Sequence, residues 1–220
     1  MYTKSRFTVK KLVCVAMFAA LAYAVTYIKI PVMFLSLEVK DSLIVLCTLI
    51  FGLPAGLAVA VLVPLLELIT HSDTGFYGLV MNILSSVTFS MVTGLIYKYK
   101  KSFYGAIVGL ASGVASVTAV MLLANLLITP YYMGVSTDAV VKLIPTVLLP
   151  FNLVKATLNA AIVLLLYKPM SNVLKKTRMV EYNLSNNGES KKFNLRSLMV
   201  SIVAVAIIAI SLCVVFFVLN

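Results

Sequence analysis

The sequence of 220 residues predicts an all-α, polytopic membrane protein, and three observations carry that expectation. The first is composition. Apolar residues make up 62% of the chain and charged residues 11%, against ~45–50% and ~25% in a typical soluble domain. Mean hydropathy is +1.07. The second is the recurrence of apolar runs near the ~20 residues a membrane helix needs. The third is that Lys and Arg collect on alternate connections between those runs. Such a composition excludes intrinsic disorder, which needs low hydrophobicity, and a disulfide-stapled secreted domain. Cys14, Cys47 and Cys213 each sit in an apolar run. No CxxC or Cys/His spacing points to a metal or redox centre.

Taken in order, the first span covers about 12–28 and the second about 41–51. The second is short for a full crossing, so it must tilt or be sheltered by its neighbours. Gly52, Pro54 and Gly56 supply turn chemistry before a third span that ends near 70. The combined run is too long for one crossing. A fourth span covers about 78–97 and a fifth about 103–128. Gly105, Gly109 and Gly113 give the fifth a small-xxx-small face for close helix packing. A sixth spans about 145–167, and a seventh about 198–219 follows a polar, basic stretch. The expected organisation is a membrane domain over 1–175, a linker over 176–197 and an added helix over 198–220. Residues 34–40 alternate in a strand-like way.

With the N-terminus inside, fourteen Lys and Arg residues lie on cytoplasmic segments. Three, Lys29, Lys40 and Lys142, lie outside, and Lys155 lies within the sixth span. That bias sets a cytoplasmic N-terminus in the cell membrane. It also accounts for the net charge of +11 without nucleic acid. Ala22-Tyr23-Ala24 after Lys10-Lys11 resembles a signal-peptide cleavage site. A retained first helix is the other reading, because Ala16, Ala20 and Ala24 form a packing stripe. The glycosylation sequon Asn183-Leu184-Ser185 falls on the cytoplasmic side in this topology.

Polar residues at membrane depth are the informative ones, since burying an Arg, Lys or Asp there costs ~2.5–3.5 kcal/mol. Asn152 and Lys155 share a helix face, and Asn159 extends the stripe. A sixth helix that starts at Pro145 places Lys155 ~15 Å deep. These residues suit an ammonium and amide facing a ligand cavity, or a snorkelling Lys beside a packing Asn. Asn125 and Asn82 bring further amides, either bonding between helices or reading a polar ring edge. Asp41 follows the extended stretch as an N-cap of the second span or as a site residue. Glu67 sits late in the third span, near the outer interface, without an assigned role. His71 stands alone in a loop. No Walker A, H-E-x-x-H or G-x-S-x-G motif is present. No paired intramembrane carboxylates suggest a proton-coupled pump. The chain therefore reads as a non-enzymatic binder, without a cofactor, whose energy comes from partners.

Three segments give a resemblance. Leu35-Ser36-Leu37-Glu38-Val39-Lys40-Asp41, Leu49-Ile50-Phe51-Gly52-Leu53-Pro54-Ala55-Gly56 and the stretch from Leu149 to Lys155 are similar in order and spacing to L-K-I/L-D-F-S-D, L-I-Y/F-G-P-L-A-G and L-P-F-N-M/L-I-K. These are motifs of the substrate-binding S components of energy-coupling factor (ECF) vitamin transporters, most closely the riboflavin type. The resemblance covers about residues 10–175. It implies six helices, both ends cytoplasmic and a vitamin pocket open to the outside, and so makes the seventh helix an addition. It implies that Asn152, Lys155 and Asn125 contact polar groups of the flavin, and extends to Asn82, Leu35, Leu37, Glu38 and Asp41. The ring would stack on side chains such as Phe34, Leu35 or Tyr131. Ala16, Ala20 and Ala24 would face a transmembrane coupling subunit, two ATPase subunits would supply energy, and the S component would topple to release its vitamin.

Three departures stand beside it. The family's D-[IV]-P-A is here Asp41-Ser42-Leu43-Ile44. Ala60, Val63 and Pro64 stand where an E-x-x-K-N pattern is expected. Ala156 replaces the glycine after the lysine. The alternatives are the same fold with another vitamin (folate, pantothenate or a flavin relative), a membrane scaffold or sensor, and an intramembrane enzyme.

Overall fold

A computed structural model of the chain describes residues 9–176 and 195–214. Most of the expected linker, the 183–185 sequon, Lys4, Arg6 and the end of the seventh span lie outside the described residues.

Helix α1 (Val9–Val25) buries Cys14, Phe18, Ala19 and Ala22. Ala22 is wholly enclosed, so the A-x-A sequence belongs to a core-forming helix. Ala16, Ala20 and Ala24 lie on its exposed face, among the exposed Leu12, Val13, Met17 and Leu21.

The chain then forms a hairpin, β1 (Lys29–Val32) against β2 (Leu35–Glu38), paired from Lys29 with Glu38 to Val32 with Leu35. The alternating stretch is thus a strand. Its partner, which contains Pro31, is an addition to the all-helical expectation. A two-strand ribbon tolerates that proline because both strands are edges. Met33 takes φ 53° in the turn.

Helix α2 (Lys40–Phe51) has twelve residues, or ~18 Å at 1.5 Å per residue. That is short of a ~30 Å hydrocarbon core. All of it except Leu43 is buried, so its neighbours rather than lipid surround it. Gly52 makes the next turn at φ 96°, where a side chain would be strained. Pro54 sits at the start of α3 (Leu53–Thr70). Gly56 is a packing residue, since a Cβ there would overlap Thr48.

Helices α4 (Gly75–Tyr99) and α5 (Phe103–Met133) lie close together along the glycine face. A Cβ on Gly109 would stand 2.9 Å from the Thr93 carbonyl oxygen. Thr93 Oγ1 donates to the Gly109 carbonyl at 3.2 Å. Ser102 caps α5, accepting from the Gly105 N–H.

The sixth span begins earlier than expected. Helix α6 (Thr137–Leu143) runs through a π-helical turn, Ile144–Leu148, into α7 (Leu149–Lys176). Pro145 lies within that turn and Pro150 just after it. Neither has an N–H to give, so the regular ladder cannot run through both. Helix α8 (Leu195–Val214) packs along α7. Its Ile208 and Val214 rest on a cluster of Val32, Leu37, Phe151 and Leu158.

The main core takes side chains from six helices, among them Phe18, Ile44, Val63, Phe89, Leu110 and Val163. Phe18 and Phe51 meet edge to face with centroids 5.6 Å apart. Among the described residues, four stretches are long and apolar enough to cross a membrane: Leu53–Thr70, Gly75–Tyr99, Phe103–Met133 and Thr137–Met170. Their outer faces expose residues such as Leu62, Ile69, Leu95 and Leu127. Lipid, not water, suits that surface, and the chain is a membrane protein.

Candidate functional site

A cavity opens at the end of the bundle where the hairpin meets α3, α4, α5 and α7. It contains about 900 Å³ of space free of protein atoms, including the part that merges with the outside. Phe34, Leu35, Tyr77, Met81, Ile128 and Phe151 give it apolar and aromatic surface. Such a lining suits a flat ring held by a few placed polar groups.

The first polar group comes from α5 and α7. Asn152 is 6% exposed. Its Nδ2 donates to the Leu148 carbonyl at 2.8 Å, in the π-helical turn. That bond fixes the amide and leaves Oδ1 without a donor among the described residues. Asn125 is held more fully: Nδ2 donates to the Met121 carbonyl at 2.7 Å, and Oδ1 accepts from Thr129 Oγ1 at 2.9 Å. One amide hydrogen remains for a ligand. Lys155 lines the same cavity and forms no ion pair or hydrogen bond within the described residues. Its ammonium still acts at a distance. Burial alone would raise the Glu38 carboxyl, but Lys155 and Lys40 outweigh burial and hold it below the usual carboxylate range.

The second polar group joins the hairpin to α3 and α4. Lys40 is 1% exposed and sits between two carboxylates. Its Nζ lies 2.7 Å from Glu38 Oε2 and pairs with Glu67 Oε2. Asn82 Nδ2 donates to the same Glu67 oxygen at 3.2 Å. A buried charge needs such partners, because an unpaired ion would lose its hydration without compensation. At the mouth, Lys29 pairs with Asp73. That hydrogen bond and charge hold the Asp73 carboxyl below its ordinary range.

Six of the eight expected ligand residues come together here: Leu35, Glu38, Asn82, Asn125, Asn152 and Lys155 all line the cavity. Two do not. Leu37 packs into the apolar cluster with Val32, Phe151 and Leu158. Asp41 turns to α4, where its carboxylate accepts from Ser86 Oγ at 2.5 Å and Ser85 Oγ at 3.3 Å. Nor does Asp41 cap α2, which starts one residue earlier with Val39 at its boundary. Tyr131 is 78% exposed. The next residue, Tyr132, reaches the cavity instead, because one step turns a helix by about 100°.

Asn159 is also not a lining residue. Its Oδ1 accepts from the Ser42 N–H at 2.8 Å, and its Nδ2 donates to the Glu38 carbonyl at 2.9 Å. It therefore ties α7 to the base of the hairpin. His71 stacks on Tyr27, centroids 4.2 Å apart, and bonds to Thr26 and Thr70. Its role is to join the ends of α1 and α3.

Sequence reading missed Glu67 as a cavity residue and Lys40 as a buried one. Glu67 is 6% exposed, enclosed by the chain itself. The one available signal was a lone carboxylate in an otherwise apolar helix, which has to find a partner.

Comparison with known proteins gives a consistent set of likenesses. The family model described as "ECF transporter, substrate-specific component" matches residues 10–167. The riboflavin transporter RibU of Staphylococcus aureus is 30% identical over 178 residues, 76% of this chain and 93% of its own length. The riboflavin transporter FmnP of Bacillus subtilis is 27% identical over 172 residues, 72% of this chain and 90% of its own. The solved structure of the S component of a bacterial ECF transporter superposes with a TM-score of 0.65. It is 30% identical and covers 76% of this chain and 98% of that one.

Proposed function

We propose that this chain, which belongs to the family of ECF transporter substrate-specific components, binds riboflavin in the cavity and delivers it across the membrane. The observation that carries the ligand is the polar set on α5 and α7. Asn152 Oδ1 is an open acceptor, Lys155 an open donor, and Asn125 keeps one amide hydrogen. Alternating donors and acceptors on a flat ring edge, as in a flavin's pyrimidine ring, match that set. Phe34, Leu35 and Tyr77 offer apolar faces for the ring. The likeness to two riboflavin transporters supports the same ligand.

No chemical step is part of this reading. A coupling subunit and two ATPases would supply energy. Ala16, Ala20 and Ala24, on the exposed face of α1, suit close approach of another helix. Orientation follows the cation bias, with the N-terminus cytoplasmic and the cavity outside. Lys40 drops out of the outside count because it is buried, which sharpens the bias. Residues 1–175 form the binding domain, 176–197 the linker, and 198–220 an added anchor.

The test is to purify the chain in detergent and titrate riboflavin by flavin fluorescence. Saturable quenching is expected, weakened about tenfold or more by Asn152→Ala and by Lys155→Ala, each losing a buried or charge-assisted bond. A folded protein that ignores riboflavin would overturn the ligand. A panel of folate, pantothenate and flavin relatives would then identify the vitamin, and the altered residues Ala60, Val63 and Pro64 would be the first place to seek the cause.

A further inference from the structure

We propose that Glu67 is a specificity-determining residue, which makes the cavity accept a neutral, hydroxyl-bearing ligand and reject its phosphorylated form. This inference rests on the flavin reading above and assigns to α3 a role separate from the amides of α5 and α7.

Two observations carry it. The first is the charge around the cavity. Lys29 and Asp73 pair at the mouth and cancel. Deeper, Glu38, Glu67 and Lys155 line the cavity, with Lys40 between the two glutamates and Asp41 bonded behind Ser85. With Asp41 counted behind the lining, three carboxylates stand with two ammoniums around the inner site, which carries one net negative charge. A phosphate would bring further negative charge into that field. A neutral ligand would not.

The second observation is the unused valence of Glu67. Its Oε2 takes both Lys40 and Asn82. Its Oε1 receives no hydrogen bond from the described residues, and it is not among the enclosed, unsatisfied atoms. The side chain lines the cavity. An ionised carboxylate only accepts hydrogen bonds, so this oxygen suits a ligand hydroxyl and opposes a phosphate oxygen.

The experiment measures the Kd of riboflavin and of riboflavin 5′-phosphate on the full chain in detergent and takes their ratio. The wild-type chain should favour riboflavin. Glu67→Gln keeps the shape and an amide for Lys40 and Asn82 to approach, but removes one charge. It should narrow the ratio about tenfold or more, the scale of one unit charge in a partly buried site. The double variant Lys40→Gln with Glu67→Gln restores the single net negative charge, and should restore the discrimination. A merely structural Glu67 would not produce that return.

Riboflavin binding with an unchanged ratio in Glu67→Gln would overturn the inference and leave the function intact. A wild-type chain that binds neither flavin would overturn the function, and this inference with it. If Glu67→Gln does not fold, Ser36→Lys adds one positive charge to the cavity lining without touching the glutamates. It should narrow the same ratio, and a ratio that stays put would overturn the inference.

Discussion

Asn152 and Asn159 lie on one helix, α7, and both are buried. Each donates Nδ2 to the carbonyl four residues back, at 2.8 and 2.9 Å. There the likeness ends. Asn159 also takes the Ser42 N–H and reaches the Glu38 carbonyl, so its hydrogen-bonding capacity is used within the chain. Asn152 keeps Oδ1 open to the cavity. The same contrast holds between two lysines. Lys40 is enclosed between Glu38 and Glu67, whereas Lys155 has its ammonium at the cavity with no close partner among the described residues. Asn152 and Lys155 keep open valences toward the cavity, whereas Asn159 and Lys40, its foundation, spend theirs within the chain. Residue type does not separate the two layers; the fate of each valence does.

The largest effect expected from breaking this division is in the foundation. Lys40→Met leaves Glu38 and Glu67 buried without their shared cation. Removing one partner of a buried pair costs about 3–5 kcal/mol. Denaturant or thermal unfolding in detergent should show it, and a variant as stable as wild type would mean the triad is not a foundation.

Next comes the asparagine pair itself. Asn159→Ala removes the side-chain donor to the Glu38 carbonyl and the shorter of two acceptors of the Ser42 N–H, which also donates to the Val39 carbonyl at 3.2 Å, and should cost about 1–2 kcal/mol of stability. Asn152→Ala frees only one helix carbonyl, already part of a helical turn. It should leave the melting temperature nearly unchanged while riboflavin affinity falls. Equal effects of the two on melting would erase the contrast.

The smallest effect is with pH, and it sharpens the contrast at Glu38, which belongs to both layers. Lys155 and Lys40 hold its folded-state carboxyl below the ordinary range, against the opposing effect of burial. Its contribution to stability is therefore fully present above the unfolded carboxylate pKa, and is lost as pH falls through the lower folded value. Acidification should loosen the wild-type hairpin over that window. Glu38→Gln should flatten the dependence there, which unfolding midpoints from pH 6 downward, to about pH 3, would read.

Much of the architecture was legible in the sequence because bilayer crossing is a local, one-dimensional demand. Runs of Leu, Val, Ile and Ala, the turn at Gly52 and the glycine face of α5 follow from chain composition and helical period. Helix boundaries shifted where prolines met a longer rod, at Pro145 and Pro150. The strand Lys29–Val32 was not legible, since a four-residue ribbon containing a proline has no periodic signature of its own. The site was half legible. Asn152 and Lys155 stand out as polar residues in an apolar helix, and their spacing alone puts them on one face.

By itself, the sequence determined that the chain crosses a membrane as a helical bundle, which family its motifs resemble, and which rare polar residues must be satisfied. Only the tertiary structure decided how each was satisfied. Glu67 meets Lys40 across 27 positions, and Asn159 meets Glu38 across 121. Asp41 reaches Ser86 rather than the cavity. Hydrogen bonds and ion pairs depend on distances of about 3 Å, and helix packing sets those distances between residues far apart in the chain. Which amide is left open for a ligand is therefore a property of the fold.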